Sequence, residues 1–264
     1  MADARRPVIT LLTDFGIRDH YVAAVKGAII QTAPEAALVD VTHEIPAHDI
    51  AAGAWVLFNA AMGFPAGSVH LAVVDPGVGG ERRALALECA GRIFVGPDNG
   101  LFSFVIDDAT PRWIVSLDAP WLRRREISPV FHARDLFAPA AAHLALGMDP
   151  TRLGGSASDP VRLAIQRPRP RADGTVRATV AHVDRFGNVI LYAAASALAG
   201  YVRARAAGRT IHRFVATYAE ARPGEPALLI NSSGFLEIGA NQARASDLLG
   251  LRPGDPVDLL PEAP

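Results

Sequence analysis

Short apolar runs rich in β-branched residues alternate with longer stretches of helical period along residues 1–150 of the chain, the pattern of a mostly parallel sheet covered by helices. Val8 to Leu12 reads as the first strand and ends in Thr13-Asp14-Phe15-Gly16. The spacing predicts a helix from about Tyr21 to Thr32, a strand over Ala37 to Val41, and a helix that Asp49 caps and that runs towards Ala61. Ser68 to Val74 reads as a buried strand stopping at the glycine-rich turn Asp75-Pro76-Gly77-Val78-Gly79-Gly80. Strands are expected near Ala84 to Glu88 and Arg92 to Val95, and a helix from near Arg134-Asp135 to Leu146.

The pattern changes after Gln-Arg-Pro-Arg-Pro-Arg-Ala-Asp-Gly, residues 166–174, where two prolines prevent regular helix and a turn signal closes the stretch. Beyond it, short strands such as Val176 to Val183, Phe214 to Ala216 and Ala227 to Ile230 are separated by glycine and proline. The expected fold is α/β: an N-terminal, mostly parallel α/β sandwich domain over residues 1–165, a linker over 166–174, and a smaller β-rich, barrel-like domain over 175–264.

Composition narrows the partners. Half of the 264 residues are hydrophobic and 20% charged, which excludes global disorder. With 26 basic and 27 acidic side chains the net charge is −1, so no field gathers nucleic acid or an anionic membrane. The single cysteine, Cys89, cannot form an intrachain bridge and fits a reducing compartment. The charged start, Met1 to Pro7, precedes an apolar run too short for a signal peptide, and the apolar stretch Leu191 to Val202 is broken by Ser196 and Gly200. A cytoplasmic protein is expected.

Asp14, Asp40 and Asp75 fall at the carboxyl ends of expected strands, where ligands gather in open α/β sheets. Carboxylates there suit hydroxyl groups or cations. The glycine turn after Asp75 lacks the lysine of a P-loop and the spacing of a dinucleotide fingerprint. Thr13-Asp14-Phe15-Gly16 shares letters with the kinase magnesium motif, but no catalytic loop precedes it. Asp14 suits a vicinal diol, with capping of the next helix as the alternative. His43 and His48, near Asp40, Glu44 and Asp49, have the wrong spacing for a helical zinc motif, and Pro46 interrupts them; a strand exit followed by a helix cap explains the segment, and no metal site is expected.

Val73-Val74-Asp75-Pro76-Gly77-Val78-Gly79, Arg82-Arg83 and Phe131-His132-Ala133-Arg134-Asp135 resemble the S-adenosylmethionine hydrolases, or S-adenosylmethionine hydroxide adenosyltransferases. The resemblance begins at Thr13-Asp14-Phe15-Gly16, passes through Lys26-Gly27, Asp40-Val41-Thr42-His43, Phe64-Pro65 and Pro97-Asp98-Asn99-Gly100-Leu101, and resumes at Asp184-Arg185-Phe186-Gly187-Asn188 and Asn231-Ser232-Ser233-Gly234-Phe235-Leu236-Glu237. It implies cleavage of S-adenosylmethionine by water to adenosine and L-methionine, without metal or redox cofactor. A related branch uses fluoride or chloride, and a binding module without turnover is a further alternative.

The resemblance places a water-activating triad on Asp75, Arg82 and His132, with either Asp75 or His132 as final proton acceptor. The halogenating branch is reported with tyrosines at the Asp75 and His132 places, and its fluorinating members with a loop absent between Glu88 and Ile93 here, which favours water. By the same implication Asp14 holds the ribose hydroxyls, Asp19 and Asp184 contact the methionine end with Asp184 receiving its ammonium, and Ser232 binds its carboxylate. Phe186 and Tyr218 stack on adenine, Asn188 reads its edge, and Phe131 lines the pocket. Ser233 and Ala47 depart from the halogenases, which carry an arginine and an aromatic residue there. Homotrimers with active sites between subunits are implied as well.

Overall fold

A computed structural model describes residues 6–122, 127–198 and 200–261. Residues 1–5 of the charged start and Ala199 of the apolar stretch lie outside them. The chain divides into two compact units, Met1–Leu163 and Ala164–Pro264.

The first unit is built on a six-stranded sheet. Its elements, in chain order, are β1 (Val8–Thr13), α1 (Tyr21–Thr32), β2 (Ala37–Thr42), α2 (Ile50–Ala61), β3 (Val69–Val73), β4 (Ala84–Cys89), β5 (Arg92–Pro97), α3 (Ser103–Asp108), β6 (Trp113–Ser116), a π-helical turn (Ala133–Phe137) and α4 (Ala138–Ala145). The strand order is β2-β1-β3-β5-β4-β6. β2, β1, β3 and β5 run parallel, whereas β4 is antiparallel to both neighbours. β4 and β5 are joined tightly through Ala90 and Gly91, both at positive φ.

Alternation along the strands supplies two cores. Ile9 and Leu11 of β1, with Val69, Leu71 and Val73 of β3, pack with Val25 and Ile29 of α1 and with Phe137, Ala138, Ala140, Ala141 and Ala142 of the helical run that ends in α4. Burying one such Leu, Ile or Phe side chain contributes about 1.5–3 kcal/mol. Across the sheet, Trp55 and Phe58 of α2 meet Phe104 of α3. His70 stacks on Phe94 within this second layer and bonds to Thr10 Oγ1 at 2.7 Å; burial, helped by Arg92, pushes its pKa down to about 4. With both faces covered, β3 is buried at every position.

The strand readings for β1 to β5 hold to within two residues, and α1 spans the expected residues. Asp49 caps α2, its Oδ1 accepting from Ala52 N at 2.9 Å. Asp40 requires correction, because it lies inside β2 rather than at its end. The helix expected from Arg134 opens instead with a π turn. Pro139 cannot donate and its ring crowds the carbonyl four residues back, so the helix widens just before it.

The second unit contains β7 (Arg169–Pro170), β8 (Val176–Val183), β9 (Val189–Ala194), β10 (Tyr201–Ala206), β11 (Arg209–Ile211), β12 (Pro226–Ile230), β13 (Phe235–Ala240), α5 (Ala245–Leu249) and β14 (Pro256–Pro261). Its sheet order is β11-β10-β14-β8-β9-β13-β12, with β7 on β8, and every strand pair is antiparallel. Phe214 to Ala216 is not a strand. It forms one parallel bridge, Phe214 with Leu228, which ties the chain after β11 to β12 and nearly closes the sheet into a barrel. The segment read as a linker also contributes structure, since an edge strand tolerates the missing N–H of Pro170.

Candidate active site

The parallel strands β2, β1 and β3 are neighbours, so the loops after them open on one edge of the first sheet. Asp14 follows β1 and Asp75 follows β3. In the turn after Asp75, Val78 N bonds to Asp75 O at 3.2 Å and Gly80 N to Gly77 O at 3.0 Å, which returns the chain so that Arg82 faces Asp75. Arg82 Nε lies 3.0 and 3.1 Å from the two Asp75 oxygens, and Nη2 lies 2.5 Å from Oδ2. The pair is mostly buried, with side chains 5% and 12% exposed, a setting in which forked geometry and full hydrogen bonding offset desolvation.

Arg82 Nη2 also reaches His132 Nδ1 at 2.9 Å. Guanidinium nitrogens only donate, so Nδ1 is the acceptor and the ring proton sits on Nε2. The arginine plane further lies 5.3 Å from the Phe137 ring centre, in the same helical run that follows His132. The three residues expected as a triad are therefore in contact, although 50 positions separate Arg82 from His132.

Gly79 explains why the turn is glycine-rich. Its φ is +77°, and a Cβ there would lie 2.3 Å from the Pro129 carbonyl oxygen. The Asp75 turn thus packs backbone to backbone on the segment that leads into His132. That segment is braced in turn by Asp135, which accepts from Ser128 N at 2.9 Å and pairs with Arg134 at 2.6 and 2.8 Å. The Arg134 hydrogen bonds hold the Asp135 carboxyl below its usual pKa, against the opposing effect of burial. A depressed folded-state pKa gives stability that is present above the unfolded value of 3.8 and lost as the pH falls through the folded value. Asp135→Asn is accordingly expected to be less stable than wild type at neutral pH, with the difference shrinking below about pH 4. Denaturant unfolding at several pH values checks this; a difference that stays constant into acid contradicts it.

Asp14 sits in a loop held by the His43–His48 segment. Its Oδ2 accepts from His48 N at 2.9 Å, Gly16 N bonds to His43 O at 2.7 Å, and Thr13 Oγ1 contacts His43 Nδ1 at 2.8 Å. His43 Nε2 lies 3.1 Å from Asp40 Oδ1, and Lys26 Nζ lies 2.6 Å from Asp40 Oδ2. Burial alone would raise the Asp40 pKa, but hydrogen bonds from Lys26 and His43 bring it below the usual value. Asp40 is thus committed to this brace. Among the described residues, no group of three or more His, Cys, Asp or Glu is placed to hold a metal ion. Phe131 packs edge-on against Phe15 and Tyr21, with centroids 6.3 and 5.3 Å away. Asp19 is exposed in the loop before α1.

The remaining expected residues lie in the second unit. Asp184 Oδ1 accepts from Phe186 N at 2.9 Å and Asn188 N at 2.8 Å, a side-chain-capped turn that leaves the Phe186 ring projecting, with that residue 74% exposed. Asn188 Nδ2 donates to Asp184 Oδ2 at 2.9 Å and to Tyr218 OH at 3.3 Å. The Tyr218 hydroxyl donates to Glu237 Oε1 at 2.6 Å. Ser232 is exposed in the β12–β13 turn, where Asn231 Oδ1 accepts from Ser233 N and Phe235 N, both at 3.0 Å. Glu237 and Gly79 were not among the candidate residues. An acidic residue inside the apolar run Phe235–Ala240 is the signal available for the first, and three glycines within the six residues Asp75–Gly80 the signal available for the second.

No helix among the described residues is long and apolar enough to cross a membrane. The (R)-S-adenosyl-L-methionine hydrolase of Salinispora tropica is 43% identical over 260 residues, spanning 96% of this chain and 97% of that protein. The Thermus thermophilus protein of the same name is 41% identical, spanning 97% and 100%. A fluorinase from an Actinoplanes species is more distant, at 27% identity over 94% of this chain and 95% of its own. A solved structure of an uncharacterized conserved protein from Thermotoga maritima superposes with a TM-score of 0.87 and 32% identity, covering 95% of this chain and 99% of that one. The SAM hydroxide adenosyltransferase N-terminal domain matches residues 9–154 and the C-terminal domain of the same name matches residues 178–258, so the chain belongs to the SAM hydroxide adenosyltransferase family.

Proposed function

We propose that the protein hydrolyses S-adenosyl-L-methionine to adenosine and L-methionine, taking the (R) sulfonium epimer named for its relatives. The convergence of Asp75, Arg82 and His132 beside the Asp14 loop carries this reading. A water molecule attacks ribose C5′ in line with the sulfonium. The O–C5′ bond forms, the C5′–S bond breaks, and its electron pair stays on sulfur. Methionine leaves as a neutral thioether that needs no proton, so the chemistry calls for no metal or redox cofactor. One water proton passes to Asp75, the anion of the triad. His132 orients the water by donating from Nε2, because Arg82 already occupies Nδ1, and Arg82 stabilises developing hydroxide.

Asp14 binds the ribose diol, its carboxylate oriented by the His48 N–H. Asp184 Oδ2 takes the methionine ammonium alongside Asn188, Asp19 contacts the methionine end, and Ser232 binds the carboxylate. Phe186 and Tyr218 stack on adenine, Asn188 reads its edge, and Phe131 lines the pocket. The working assembly is a cytoplasmic homotrimer with active sites between subunits; a sedimentation mass other than three chains rejects the trimer.

The test is chromatography of products after incubation with each sulfonium epimer, with and without chloride or fluoride. Equal amounts of adenosine and methionine are expected, independent of halide. A 5′-halogenated nucleoside, or bound adenosine with no methionine release, overturns the proposal.

A further inference from the structure

Glu237 is a charged residue in the middle of β13 with only 2% of its surface exposed. Among the described residues, the groups acting on its carboxyl are Tyr218, Asn231 and Asp184, none of them basic, and burial raises its pKa. A carboxyl placed so far from solvent without a cation is a costly choice for a strand interior. Its geometry shows what it holds. Tyr218 OH donates to Glu237 Oε1 at 2.6 Å and receives Asn188 Nδ2 at 3.3 Å, while the other hydrogen of that amide goes to Asp184 Oδ2 at 2.9 Å.

Carboxylates at both ends force the direction of each bond between them. The amide of Asn188 must turn both N–H groups inward, and the phenol must point its hydrogen at Glu237. The ring is fixed on a second side by Gly239, where a Cβ would sit 2.6 Å from Tyr218 Cε1 and 2.9 Å from Cδ1. Tyr218 remains 41% exposed, so a ring held at its hydroxyl and one edge still has surface to offer.

We infer that Glu237 is a positioning residue of the purine subsite, holding Tyr218 and Asn188 as one preorganised unit. This rests on the proposed nucleoside-binding role of those two residues. Glu237 touches no substrate itself, and its effect runs through affinity rather than through the bond-breaking step.

Adenosine binding to the full-length protein, measured by calorimetry, tests it with Glu237→Leu, Glu237→Gln, Tyr218→Phe and the Glu237→Leu/Tyr218→Phe double variant, each first shown to be folded. Loss of one hydrogen bond to a charged group corresponds to about a ten-fold or greater weakening. That loss is expected in Glu237→Leu and in Tyr218→Phe, with the double variant no weaker than the singles and Glu237→Gln within about three-fold of wild type. In turnover, Glu237→Leu is expected to raise KM with little change in kcat. Additive losses, unaltered binding by folded Glu237→Leu, or a fall in kcat at constant KM would overturn the inference while leaving the hydrolase reading intact. Failure of the unaltered protein to bind adenosine would instead overturn both.

Discussion

Asp75→Asn is expected to lower kcat by about 10²–10⁴-fold, the usual contribution of a positioned general base, while adenosine binds within a few-fold of wild type. The substitution keeps the size of the side chain and one acceptor for Arg82 but removes the negative charge on which both the forked pair and proton transfer depend. His132→Gln is expected to cost at least about ten-fold less than Asp75→Asn, because His132 Nδ1 already accepts from Arg82 and is closed to the water's proton. The reverse order would make the imidazole the proton acceptor. Loss of adenosine affinity in step with rate would place Asp75 in ligand binding instead. Thermal unfolding of each variant separates both outcomes from collapse of the loop.

Gly79→Ala is expected to lower kcat/KM by about 100-fold without touching any reacting group. A Cβ at φ +77° adds roughly 1–2 kcal/mol of backbone strain and meets the Pro129 carbonyl oxygen at 2.3 Å. Backbone cannot yield as a flexible side chain can, so the Asp75–Arg82 turn must move away from the segment leading to His132. Gly67→Ala supplies the control. Gly67 also has positive φ, +84°, but no neighbour within 4 Å of the added atom, so it is expected to lose stability of the same small order and keep its activity. Steady-state kinetics with a melting temperature for both variants checks the pair. Equal activity in the two would show that the close approach at Gly79 does not position the triad.

The first unit is legible where one physical signal dominates. Ile9, Leu11 and Leu12 mark a strand, the acidic cap at Asp49 marks the start of α2, and the glycines after Asp75 mark a sharp turn. What escapes is short or locally ambiguous. α3 has only the residues Ser103–Asp108, and the four-residue β6 is an edge strand recognised through pairing with β4. The π turn before Pro139 has no periodic signature, since its width is set by one proline and the packing of Phe137. In the second unit, β10 and β14 find each other across more than 50 residues and carry arginine and aspartate on their outer faces. Local patterning is silent about such pairs. The proposed site residues divide in the same way: Asp75, Arg82, His132 and Asp184 are suggested by their residue types, whereas Glu237 is singled out only by its hydrogen bond from Tyr218.

The identity of the nucleophile and the carbon it attacks are read together in one reaction. S-adenosyl-L-methionine is incubated with the protein in water enriched in heavy oxygen, and the adenosine and methionine are examined by mass spectrometry. Incorporation of one heavy oxygen into adenosine at the 5′ hydroxyl, with unlabelled methionine, is the predicted result. Adenosine formed without the label, or label found in methionine, would contradict direct displacement at C5′ by water held between Asp75, Arg82 and His132.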